Sequence, residues 1–279
     1  MKGFKKFPGS FALSALITLG LCVSGAEANE HGKEIYQTYD TPRFTLHIGS
    51  EREPVQAISD KKYTELAQDA LKTLNNTFDE LSRLFKLQPV KKVTLRFLTP
   101  QEFTRMTGAP EWTNAMYYRG EISIPLTAHN IEKRKDLVRA VRHEYVHAFL
   151  AEVTRHRCPA WLDEGVAQLI EGKPNSLLGP ALRDWLASNE AIPLDWLNHG
   201  FTLLDEEVVP TAYAQSLFAA RSLVNQHGFS ALRTYMLELR DGSTPQEAFA
   251  NSFGQSQYDY EKKLNEDLDR WRFSGRRHP

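Results

Sequence analysis

Residues 143–147 read His-Glu-Tyr-Val-His inside a stretch that is otherwise largely apolar. Leu137, Val138, Val141, Val146, Phe149 and Leu150 recur around them, so residues 131–152 are expected to form one long, mostly buried helix. Three ionisable groups on such a helix need partners, because an isolated charge inside a protein is costly. Positions i and i+4 lie on the same helix face. His143 and His147 can therefore converge on one metal ion. Glu144, offset around the helix, is poorly placed as a ligand. It can instead reach a metal-activated water and accept its proton. The competing reading is a solvated helix whose histidines face water. By composition alone the five-residue pattern arises in about one chain in a hundred of this length. The apolar setting is what weighs against the solvated helix.

A catalytic zinc takes three protein ligands and keeps one position open. An arrangement with glycine at 150 and histidine at 153 is excluded by Leu150 and Val153. A carboxylate from the next helix is the alternative. Residues 159–171 open with Pro159 and end just before Gly172, which suits a helix. A turn at residues 154–158 would fold it back beside the first. Glu164 is then the expected third ligand, with Asp163 and His156 as the residues that could replace it. Two histidines and a glutamate are a known ligand set for one Zn²⁺.

His143-Glu144-x-x-His147, followed by Trp161-Leu162-Asp163-Glu164-Gly165-Val166-Ala167, resembles the gluzincins, the metallopeptidase group that contains thermolysin and the zinc aminopeptidases. Within that group it is most similar to the bacterial peptidase MA-like proteins. The firm resemblance covers residues 143–168. A looser one takes in residues 120–126, Tyr213-Ala214-Gln215-Ser216 and His227-Gly228. It implies a zinc-peptidase fold in which two helices carry the ligands and an edge strand binds extended substrate. It also implies a neutral hydrogen-bond donor from a later helix, for which Tyr213 is the candidate and Tyr235 and His199 the alternatives. The plain reading of Tyr213 is packing against Leu217.

Two departures matter. Thermolysin-like enzymes place an aspartate four residues after the ligand glutamate, where it orients a ligand histidine. This chain has Gln168 there. Its amide oxygen is expected to accept the imidazole N–H without a charge. No Gly-x-Met-Glu-Asn segment is present, which lowers the weight of an aminopeptidase. Asn114-Ala115 faintly resembles the backbone-binding segment of thermolysin.

The rest of the chain sets the frame. Lys2, Lys5 and Lys6, an apolar run at 11–23 and Ala26-Glu27-Ala28 read as a signal peptide at residues 1–28. Its removal leaves 31 Lys+Arg against 34 Asp+Glu, a net charge of −3. The expected location is periplasmic or secreted. Leu21 before Cys22 argues against a lipid anchor. No field strong enough to gather nucleic acid exists, and Arg270, Arg272, Arg276 and Arg277 read as a solvated tail. No later segment is long and apolar enough to span a membrane. Cys158, alone after the leader, cannot form an internal disulfide.

Strands are expected at 44–48 and 93–98, with a long amphipathic helix at 61–85 between them. Residues 115–126 read as strands around an Arg119-Gly120 turn, and Pro125 suits an edge strand. Ile122, Ser123 and Ile124 are expected to pair with substrate through the main chain. Helices follow at 211–227, from Thr244-Pro245-x-Glu247, and from Ser256 to about Trp271. The fold class is α+β. A small strand-rich lobe at 29–130 with a substrate-binding edge strand precedes a mainly helical lobe at 131–279 with the zinc site. The expected activity is peptide-bond hydrolysis. Its rivals are a zinc-binding module that no longer cleaves and an amide hydrolase acting on cell-wall material.

Overall fold

The computed structural model describes residues 37–49, 60–109, 113–127, 131–172, 175–201 and 204–274. It adds the short strand segments 22–23, 34–35 and 55–56. Apart from Cys22 and Val23, the expected leader and its cleavage pattern lie outside the described residues.

Among the described residues there are eight strands: β1 (Cys22–Val23), β2 (Glu34–Ile35), β3 (Gln37–Asp40), β4 (Phe44–Ile48), β5 (Val55–Gln56), β6 (Val93–Leu98), β7 (Met116–Tyr118) and β8 (Glu121–Pro125). Six of them form one sheet in the order β1-β3-β4-β6-β8-β7, and β2 pairs with β5. β4, β6 and β8 run parallel, with Leu46 opposite Leu95 and Leu95 opposite Ile122. Parallel neighbours need a crossover, and α1 (Asp60–Phe85) supplies it between β4 and β6. Leu66, Ala70, Leu74, Phe78, Leu81 and Phe85 are all buried, as their spacing by three and four predicts.

β8 is not an edge strand. It bonds to β6 on one side and, through Ser123, Ile122 and Glu121, to β7 on the other. Ile122 and Ile124 are fully buried and Ser123 nearly so. Ile122 and Ser123 are in register with both β6 and β7, so their main-chain groups already serve the sheet and leave no open edge for substrate, whereas Ile124 is in register with β6 alone. Pro125 is tolerated at the strand's end, past the residues that pair with β7. β7 is the edge. No further strand pairs with it among the described residues, and Tyr118 at its end is 63% exposed.

The helical part comprises α2 (Pro100–Thr107), α3 (Arg134–Thr154), α4 (Ala160–Glu171), α5 (Leu178–Ser188), a 3₁₀ turn at Leu194–His199, α6 (Val209–Asp241), α7 (Pro245–Phe253) and α8 (Gln257–Arg272). Among the described residues no helix is long and apolar enough to cross a membrane. Thr244 and Glu247 form the expected capping box, and Ser256 caps α8. Gly228 (φ 73°, ψ 171°) was expected to close its helix, but the chain resumes a helical path to Asp241 after the kink. α2 was missed, although Thr99 caps it by accepting from the Glu102 amide and Pro100 follows at its first turn.

One hydrophobic cluster runs through both parts of the chain, across the expected boundary at 130. Phe44 meets the ring of Tyr145 edge-on at 5.4 Å, and Phe85 packs on Phe149 at 5.7 Å and Phe229 at 5.4 Å. α3 therefore sits between the sheet-bound α1 and the later helices. After Thr154, Arg155 and His156 both take positive φ, and the chain reverses into α4.

α4 and α6 approach very closely at Gly165. A Cβ there would lie 2.3 Å from the Ser216 carbonyl oxygen and 2.7 Å from the Ala220 methyl. Both obstacles belong to a packed helix, so neither can swing aside. Gly165→Ala is expected to cost about 1–3 kcal/mol, the usual range for overpacking a core. Denaturant unfolding measures this, and an unchanged midpoint would show that the helix spacing relaxes freely.

Candidate active site

α3 presents His143 and His147 toward α4, their rings 4.9 Å apart between centroids. The two helices run antiparallel, so the early residue on one meets the late residue on the other. His147 Nδ1 lies 2.9 Å from Asp163 Oδ1 at the start of α4. His143 Nδ1 lies 3.0 Å from Glu171 Oε2 at its end. Each carboxylate fixes its imidazole with the proton on Nδ1, leaving the Nε2 lone pair for a ligand.

Both Nε2 atoms face Glu164. Its Oε2 lies 3.5 Å from His143 Nε2 and 3.8 Å from His147 Nε2. That oxygen is buried and has no hydrogen-bond partner. Ligand atoms of all three residues lie within 4.8 Å of one another. Ligands about 2.1 Å from a tetrahedral ion stand about 3.4 Å apart, so the donor set, the spacing and the orphaned oxygen all fit one metal ion. His156 is exposed on the turn, outside this group.

The field around the imidazoles is negative. Burial alone pushes His143 down, but Glu164 and Glu171 more than reverse this, leaving it well above the usual histidine value. Burial opposes His147 too, and Asp163 with Glu164 carries it up to about 9. A site that draws protons onto two histidines also attracts a cation. Glu144, 8% exposed, is raised by burial against the pull of both histidines, with the nearby Tyr117 backbone of β7 a smaller lowering influence.

Tyr213 comes from the first turns of α6, and its phenol and the Glu164 carboxylate act on each other electrostatically. Burial first, then Glu164 and Glu144, raise this phenol far above its ordinary value, so it stays a neutral donor. Its ring also packs edge-on against Phe201 at 4.9 Å. Tyr235 instead lies in the core between Phe249 and Phe253.

Gln168 does not take its expected place. Its Nε2 donates to the Tyr213 carbonyl at 2.9 Å and to the Glu164 carbonyl at 3.3 Å, while its Oε1 has no partner. The carboxylate on His143 is Glu171, which the sequence reading missed. The signal was present. Seven residues after Glu164 falls within about 20° of two whole turns, whereas four residues overshoots one turn by about 40°.

A cleft of about 740 Å³ opens beside these groups, with Asn114, Leu137, Ala140, His143, Glu144 and Tyr213 in its wall. Asn114 and Ala115 lead directly into the edge strand β7. Of the expected substrate-binding residues, Asn114 and Ile124 reach this cleft.

The family model of the Peptidase MA superfamily matches residues 73–272, most of the chain. The chain belongs to the Peptidase MA superfamily. The match spans α3, α4 and the first turns of α6, the three elements that assemble the site. It makes the protein metallopeptidase-like. No protein of curated function matches the chain.

His143→Ala, His147→Ala and Glu164→Ala are each expected to lose most of the bound metal, measured by mass spectrometry of the purified protein. Full metal content in Glu164→Ala would move the third ligand to Asp163.

Proposed function

We propose that this superfamily member is a zinc-dependent endopeptidase. The reading rests on one observation: three ligand atoms converge beside a buried carboxylate at the wall of a cleft. His143, His147 and Glu164 would hold one Zn²⁺, the usual metal for two imidazoles and a carboxylate. When bound there, the ion supplies a Lewis acid that polarises the scissile carbonyl and acidifies a water.

The protein's own groups do the rest. Glu144 accepts the proton of the attacking water on its carboxylate and passes it to the leaving amine. The Tyr117 backbone of β7 lies beside that carboxylate. Tyr213 donates its phenolic proton as a hydrogen bond to the carbonyl oxygen as negative charge grows there. An extended peptide would lie along the open edge of β7, with Asn114 and Ala115 meeting its backbone. Asp163 and Glu171 keep the imidazoles turned toward the ligand point.

Burial of an intact Glu144 against β7 favours hydrolysis over a zinc-binding module without turnover, since a pure metal site has no use for that carboxylate. A panel of unstructured protein and cell-wall amide substrates, with and without chelator, decides between peptide and other amide bonds.

Glu144→Gln is expected to keep zinc and fold while losing at least about 10²–10⁴-fold in turnover. An unchanged rate would remove Glu144 as the base. Tyr213→Phe is expected to lower kcat by about 10²–10³-fold, as deletion of an oxyanion donor does elsewhere. Its zinc content and thermal midpoint should stay put. Normal kcat would return Tyr213 to a packing role.

A further inference from the structure

Glu171 stands where a helix least favours it. It is the last residue of α4, beside Gly172 in the left-handed conformation (φ 89°). The carbonyl end of a helix carries partial negative charge, so a carboxylate there is locally unfavourable. No basic residue of α4 offsets it in that turn. Local rules broken in this way tend to mark functional positions.

α3 supplies the compensation with two arginines. Arg142 Nε donates to the Ile170 carbonyl at 2.7 Å, satisfying one free acceptor at the helix end. Its other arm reaches Glu80 on α1 at 2.8 Å. Arg139 Nε lies 2.8 Å from Glu171 Oε1. Glu171 thus places one oxygen on Arg139 and the other on His143 Nδ1. Arg139, Glu171 and His143 form a chain from α3 to α4 and back. Arg139 and His143 are four residues apart, so both meet the same carboxylate from one helix face.

We propose that the Arg139–Glu171 pair is the positioning device for the metal ligand His143, and that Gln168 has been released from that duty to hold the helix carrying Tyr213. This rests on the zinc reading above. One oxygen of Glu171 fixes the tautomer and ring orientation of His143. Arg139 fixes the rotamer of Glu171 and keeps its carboxylate from swinging onto the metal. Gln168 spends its amide N–H groups on α4 and α6, tying Glu164 and Tyr213 together through their backbones.

The test is zinc affinity by competition with a chromophoric chelator, together with the visible spectrum of the Co²⁺-substituted protein. Both are read on full-length protein beside the thermal midpoint of the metal-free form. Glu171→Gln is isosteric and is expected to weaken zinc binding about 10–100-fold, the usual cost of losing such a partner. The metal-free midpoint should hold or rise. Arg139→Gln should weaken binding less, and the double variant no more than Glu171→Gln alone, because Arg139 acts through Glu171. Glu171→Asp should recover part of the affinity. Gln168→Ala, which loosens only the backbone tie to Glu164 and Tyr213, should cost clearly less zinc affinity than Glu171→Gln. Wild-type affinity and an unaltered Co²⁺ spectrum in Glu171→Gln would overturn the inference, as would a loss in Gln168→Ala as large as that in Glu171→Gln. Should Glu171→Gln fail to fold, wild-type affinity in Arg139→Gln would overturn it instead. A wild-type protein that binds no stoichiometric zinc would sink the zinc reading itself, a result separate from either of these.

Discussion

The structure depends on burying α3 while it carries His143, Glu144 and His147. Along the enclosed part of this helix the three side chains have little access to water, so each needs a partner in the protein or a bound ion. The solution is antiparallel. α4 folds back along α3 and brings Asp163, Glu164 and Glu171 to bear on two imidazoles. Two carboxylates hold the rings by Nδ1, and the third faces both Nε2 atoms with an oxygen that nothing in the protein satisfies.

Close helix packing makes this arrangement possible. Gly165 follows Glu164 directly and lets α6 lie against α4 with no side chain between them. The contact brings Tyr213 within reach of Glu164 and gives Gln168 a carbonyl on α6 to bond. On the opposite side β7 lies beside Glu144 and ends in an exposed tyrosine, and Glu144 shares its cleft with Asn114 and Ala115, the residues that lead into that strand. Packing and chemistry are coupled through these few positions.

Much of the site was legible because its signals are local. The i, i+4 histidines, the proline and glycine that bracket α4, and the capping box at Thr244 act within one or two helical turns, where spacing determines geometry. Other features depend on facing elements. Strand periodicity at 121–125 shows that residues alternate but not what lies on either side, so β8 looked like an edge while β7 covered it. The residue after the kink at Gly228 resumes a helix because it packs against Phe85, a contact across more than a hundred positions.

The sequence alone narrowed which residues could meet a metal: helix period pairs His143 with His147, and the short reversing turn leaves Glu164 ahead of Asp163 and His156. Only the tertiary structure decided which carboxylate serves which imidazole. Position 168 is where the resemblance to thermolysin-like enzymes puts a histidine's partner, but the rotation of α4 between α3 and α6 turns Gln168 toward Tyr213 and delivers Glu171 to His143 instead. A helix face is a property of spacing. The neighbour that face meets depends on how three helices pack, and here a missing side chain at Gly165 sets that packing.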